Sequence, residues 1–187
     1  IERLRRLDAQ FDLSLGQLTL KQLPMTTVSL KASGKDGLLS LSELRGELYN
    51  GNFNHSASLD VRPDSPQLKV QKNLSRVDAA KLLNALGQKP TLTGDLDLNA
   101  DLQTQGNSQK AWIDNLNGNA HFNLRDGVLR NANLEQQLCQ AIATLNHKSL
   151  SGETRGKDTA FESLGGNLTI TNGVAYNPDL KARIQGL

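Results

Sequence analysis

The sequence predicts a mainly β fold, an antiparallel meander interrupted by a few α-helices. Three observations lead there: strict period-two alternation, short strand units of Leu-x-Gly type, and Asn-Gly or Asp-Gly pairs spaced between apolar runs. The alternation is cleanest from Leu92 to Leu102. Leu92, Gly94, Leu96, Leu98, Ala100 and Leu102 fall on one side of that run, and Thr93, Asp95, Asp97, Asn99 and Asp101 on the other. A strand that is greasy on one face and acidic on the other belongs to an antiparallel sheet with one solvated face.

The other elements follow in order. Ile1, Leu4 and Leu7 have helical spacing, so residues 1–8 read as the end of an incoming helix. Phe11, Leu13 and Leu15 then alternate with Asp12 and Ser14. Leu18 and Leu20 continue after Gly16 with the face shifted by one, which predicts a bulge or turn there. Val28, Leu30 and Ala32 form the next strand, ending at the Gly34-Lys-Asp-Gly37 turn. Similar strands are expected at Ala57 to Val61, Ala120 to Leu124, Leu168 to Ile170 and Leu180 to Ile184.

Two helices are expected within the sheet. The first, near residues 76–86, has a capping-box-like start at Ser75 and Asp78, a stripe of Val77, Ala80, Leu83 and Leu86, and stop signals at Gly87 and Pro90. The second, near 134–146, follows Asn133 as N-cap and carries Leu134, Leu138, Ile142 and Leu145. From Asn146 to Thr159 the chain is polar and contains glycine, which predicts a loop.

Composition excludes several functions. Across 187 residues, 21 basic and 19 acidic side chains interleave to a net charge of +2, with no concentrated patch for a phosphate backbone, so nucleic acid is not an expected partner. Aromatics at 4% leave little stacking surface for bases or sugars. Cys139 is the sole cysteine, which rules out an internal disulfide and a cysteine-based zinc site, and its helical setting reads as a small packed residue. No apolar run approaches the ~18 residues of a membrane span.

No catalytic constellation stands out, and no enzyme activity, cofactor or metal is expected. Gly-x-Ser-x-Gly and His-Glu-x-x-His are absent, and no carboxylate pair rises above the charged background. Gly152-Glu-Thr-Arg-Gly156-Lys157 has a three-residue spacer where a phosphate-binding loop has four, and Asp158 stands in the Ser/Thr place. His55, His121 and His147 are scattered, and Asp95, Asp97 and Asp101 lack the glycine-turn loop of a calcium site. Asn54-His-Ser56, Asn73-Leu-Ser75 and Asn167-Leu-Thr169 match the glycosylation pattern.

The strand units recur: Leu44-Arg-Gly46 leads to Gly51, Leu92-Thr-Gly94 opens the cleanest strand, Leu116-Asn-Gly118 leads to Gly127, and Leu164-Gly-Gly166 leads to Gly173. Asn50-Gly51, Asp126-Gly127 and Asn172-Gly173 are the dipeptides that favour the positive φ of tight hairpins. Taken in order, these units, Phe53, the Leu74 to Leu86 segment and Phe161 to Val174 resemble the carboxy-terminal region of the AsmA family of bacterial cell-envelope proteins. The resemblance covers most of residues 10–187.

That resemblance implies a curved antiparallel sheet forming a groove, partly covered by two or three short helices, with residues 1–187 as one segment of a longer protein. It also implies a periplasmic location within an inner-membrane-anchored protein, the anchor lying in an amino-terminal segment outside this chain. The implied role is phospholipid transport toward the outer membrane and outer-membrane biogenesis, with phospholipid acyl chains as partners. A scaffold that binds envelope proteins through sheet edges is the alternative. Candidate groove-lining residues are Leu96, Leu98, Leu102, Phe122, Leu124, Leu168 and Ile170. The same leucines would equally serve as an ordinary core beneath the helices. About eight strands of about ten residues would make a sheet roughly 38 by 33 Å, long enough for a lipid tail.

Overall fold

Alternating sequence becomes a sheet only where each strand finds a neighbour, and here each of the first eight strands finds the next in sequence. The computed structural model describes residues 2–20, 22–131 and 158–184. Its strands are β1 (Ala9–Leu20), β2 (Leu23–Lys35), β3 (Leu38–Leu48), β4 (Gly51–Asp60), β5 (Gln67–Asp78), β6 (Asp95–Gln105), β7 (Asn117–Leu129), β8 (Thr159–Thr171), β9 (Val174–Tyr176) and β10 (Lys181–Ile184). They form one ten-stranded antiparallel meander in the order β1-β2-β3-β4-β5-β6-β7-β8-β10, with β9 also paired to β8. The sheet is open, with β1 as one edge.

Three short helices, α1 (Glu2–Arg5), α2 (Ala79–Ala85) and α3 (Gln109–Asp114), sit at the strand ends. The chain exposes 12688 Å² of surface. A compact protein of 20.3 kDa would expose about 8,800 Å². Among the described residues, the three short helices cover only part of the sheet.

Bulges keep the apolar side chains on one face. In β3, Leu39 and Leu41 are odd-numbered, whereas Leu44 and Leu48 are even; the register against β4 shifts between Leu41 and Leu44 and absorbs the change. In β5 the ladder against β6 shifts between Leu74 and Val77, where Arg76 has φ of 55°. At the break foreseen beside Gly16, the β1–β2 register stays continuous, and Thr27 opposite takes φ of 51°. Without these irregularities, one half of β3 and of β5 would present its apolar side chains to water.

Several expectations need correction. The first helix begins at Ala79: Asp78 is its N-cap and accepts from the Lys81 N–H, while Ser75 and Val77 belong to β5 and Val77 is fully buried there. The cleanest strand begins at Asp95, with Leu92 held separately in a bridge to Leu129. Helix α3, capped by Ser108, had no foreseen counterpart. Of the three turn dipeptides, Asn172-Gly173 forms the expected tight turn, with φ of 50° and 77°. At Asn50-Gly51 the turn lies one residue earlier, on Tyr49 and Asn50, and Gly51 starts β4. Asp126-Gly127 is a kink inside β7. The expected helix near 134–146, Cys139, His147 and the 152–157 loop lie outside the described residues.

Candidate functional site

In a meander, cross-strand partners share a face, so the pairing registers draw the apolar surface row by row. One row runs Leu13, Leu30, Leu44, His55, Lys72, Ala100, Ala120, Leu168 across eight strands. The row on one side holds Phe11, Ala32, Leu41, Ala57, Val70, Leu102, Gly118 and Ile170. On the other side Phe53, Leu74, Leu98 and Phe122 are successive partners. The opposite face is polar: Asp97 pairs with Arg125 at 2.9 Å and accepts from the Arg76 N–H at 2.9 Å, and His121 contacts Asn167 at 3.0 Å.

Buried apolar side chains among the described residues gather in two clusters. Met25, Val28, Leu48 and Phe53 form the first, with Leu82 of α2 packed against it. Ala79, Leu124 and Phe161 form the second, joined by Leu92, Leu96 and Leu164. Helix α2 therefore closes one rim of the apolar face. At the opposite strand ends, Leu4, Leu59, Val61, Pro66, Gly106 and Trp112 line an apolar cavity of about 410 Å³. Trp112 is fixed there by its indole N–H donating to the Gly106 carbonyl at 2.6 Å.

The seven candidate lining residues divide between these zones. Leu124, 2% exposed, sits in the second cluster, and Leu96 packs against it. Leu98 and Phe122 are direct partners, and Leu102 and Ile170 flank Gly118 from either side. Leu168 opposes Ala120. All five lie half-buried on the field between the rims. The field extends well beyond them through β5 to β1, ending at Leu13 and Phe11, which are 47% and 49% exposed.

Two residues in the central row are not placed on this face by the sequence, where His55 reads only as a scattered metal-ligand candidate and Lys72 is not singled out. His55 and Lys72 are direct partners on β4 and β5, within the greasy face. The parity of Leu68-x-Val70-x-Lys72-x-Leu74 carries the signal, since Lys72 shares the phase of three apolar residues. The His55 ring stacks at a tilt on Phe53, with centroids 5.4 Å apart, and its buried Nδ1 has no hydrogen-bond partner. Burial pushes the imidazole below its usual value, the Lys72 charge adds to this, and the Asn54 backbone partly offsets it.

No three His, Cys, Asp or Glu side chains converge among the described residues, and no helix there is long and apolar enough to cross a membrane. An extended greasy face of this kind offers burial of an apolar partner. The sequence profile of the AsmA family matches residues 1–180. The chain belongs to the AsmA family. A curated relative in that family, Protein AsmA of Escherichia coli (strain K12), is 25% identical over 158 residues. That alignment covers 84% of this chain and 26% of the relative, so the chain spans about a quarter of the length of the AsmA protein it matches. No solved structure matches.

Proposed function

We propose that this AsmA-family segment is a non-catalytic lipid-shielding sheet, in which phospholipid acyl chains lie on the apolar field between the two rims. The observation that carries this reading is the continuity of the field: two neighbouring rows of uncharged side chains, broken by one lysine, cross strands β1 to β8, a third row joins them from β4 to β7, and the field stays half-exposed at Leu98, Leu102, Phe122, Leu168 and Ile170. Exposed apolar areas of that extent mark interaction surfaces. Covering roughly 200 Å² of acyl surface would contribute about 5 kcal/mol, before the cost of confining the chain. The setting that fits is the periplasm, as part of an inner-membrane-anchored envelope protein that moves phospholipid toward the outer membrane.

The test is Leu98→Asp, which puts a charge at the centre of the field. Native mass spectrometry of the longer protein purified from membranes should show bound phospholipid that the substitution removes, with the melting temperature of the segment largely kept. Lipid-free wild-type protein would sink the proposal. Unfolding by Leu98→Asp would make this part of the face a core. A second reading, recruitment of an envelope protein by strand addition, is favoured by one observation: β1 is a twelve-residue open edge, with Leu15 and Leu20 exposed beside Phe11 and Leu13. Prolines along β1 would abolish that recruitment and leave lipid binding in place.

A further inference from the structure

We propose that Lys72 anchors the anionic headgroup, phosphate or carboxylate, of an amphiphile whose chains spread over the apolar field; the inference rests on the lipid-shielding reading above and specifies the charge of the lipid.

The geometry singles this lysine out. On the apolar face its direct partners are His55 and Ala100, its neighbours along β5 are Val70 and Leu74, and its diagonal neighbours are apolar as well. Across the described pairing rows of β1 to β8 this is the one charged side chain on that face, and no carboxylate shares it. The amine makes no ion pair or hydrogen bond within the described residues. On the polar face, by contrast, Arg125 is matched by Asp97, and Lys31 and Arg45 converge on Glu43.

A structural role would give Lys72 a partner on its own face. It sits instead on the central row, with apolar rows to either side. Lys72 is exposed there, so its amine is open to an incoming anion while its surroundings offer hydrocarbon contact. The ligand that satisfies both features carries one anionic group with hydrocarbon attached to it. A free anion would ignore the field, and a neutral lipid would leave the amine unmatched. His55 beside it responds to the same charge: an anion seated at Lys72 offsets the repulsion that the lysine exerts on the imidazole.

The test measures binding of dodecyl phosphate, monododecanoylglycerol and inorganic phosphate to the 187-residue chain by calorimetry below micelle-forming concentrations, with wild type, Lys72→Met and Lys72→Arg. Lys72→Met keeps the stem and removes the charge. Wild type and Lys72→Arg should bind dodecyl phosphate on the order of tenfold more tightly than the neutral amphiphile. Lys72→Met should bind the two equally. In the wild type, dodecyl phosphate should also raise the His55 titration midpoint seen by NMR, and monododecanoylglycerol should not. Equal binding of both amphiphiles by wild type overturns the headgroup assignment and leaves the lipid-shielding reading standing. Failure of both to bind overturns both. Inorganic phosphate binding as tightly as dodecyl phosphate would show a plain anion site and overturn the amphiphile.

Discussion

Strands β6 to β8 and strands β2 to β5 build the same apolar face by different means. The β6–β7 and β7–β8 ladders keep their register from end to end. The β2–β3 ladder shifts twice, the β3–β4 ladder shifts once between Leu41 and Leu44, and β5 shifts against β6 after Leu74. The regular half holds Leu96, Leu98 and Leu102 in phase by sequence alone, and changes phase only towards one end, at the Asp126 kink of β7 and between Phe161 and Leu164 of β8, without a register shift. The bulged half changes phase within strands and restores the face by inserting residues. A continuous surface therefore does not require a continuous pattern, and the bulged half contains slack that the regular half lacks.

The sharpest way to break this contrast is to add bulk at glycines in each half. A side chain at Gly118, where φ is 146°, would collide with the Asp101 backbone carbonyl across a ladder that has no bulge to yield. Gly118→Val should cost about 4 kcal/mol or unfold the chain. At Gly46, in the bulged half, an added Cβ meets the Phe53 ring at 2.8 Å and the Thr26 carbonyl at 2.9 Å, and the ring can rotate. Gly46→Ala should cost about half as much, read by urea denaturation of both variants. Equal losses would mean that the bulges provide no slack.

A second pair of substitutions asks whether the regular half itself divides into core and open field. Leu124→Ala empties a fully packed position and should cost about 3 kcal/mol, whereas half-buried Leu98→Ala should cost about 1 kcal/mol in the absence of ligand. Thermal melts of the two would settle the order, and a larger loss at Leu98 would make the field a core.

The smallest effect is a pH dependence in the bulged half. His55 titrates below its unfolded value in the folded protein, so the unfolded chain takes up the proton first, and stability falls as pH drops through the histidine range. Urea midpoints at about pH 7.5 and about pH 5 should differ less in His55→Phe than in wild type. An unchanged difference would remove His55 from the list of acid-sensitive positions.

Legibility in the sequence followed this same division. Strands β6 to β8 could be read directly because Leu96, Leu98 and Leu102 never change phase, and all seven candidate lining residues came from these three strands. The bulged half hid its contribution: Leu41 and Leu44 differ in parity, and a period-two reading assigns them to opposite faces. His55 stands out only as a metal-ligand candidate, and Lys72 is passed over, because a polar residue within a strand reads as the wet side unless its phase is followed. The turn dipeptides were legible as chain reversals but not in position, since Tyr49 takes a left-handed conformation that its side chain does not advertise. Six-residue α3 is too short to show a period, and only Ser108 marks it.

Because each strand from β1 to β7 pairs only with its neighbours in sequence, the molecule grows in one dimension there. Each added hairpin lengthens the sheet by about 9.6 Å and leaves its cross-section unchanged. Such an array assembles by short-range zippering and can fail locally without collapsing elsewhere. Its reach is then set by how many hairpins the gene encodes, making span a quantity that evolution can adjust in whole increments by duplication or loss.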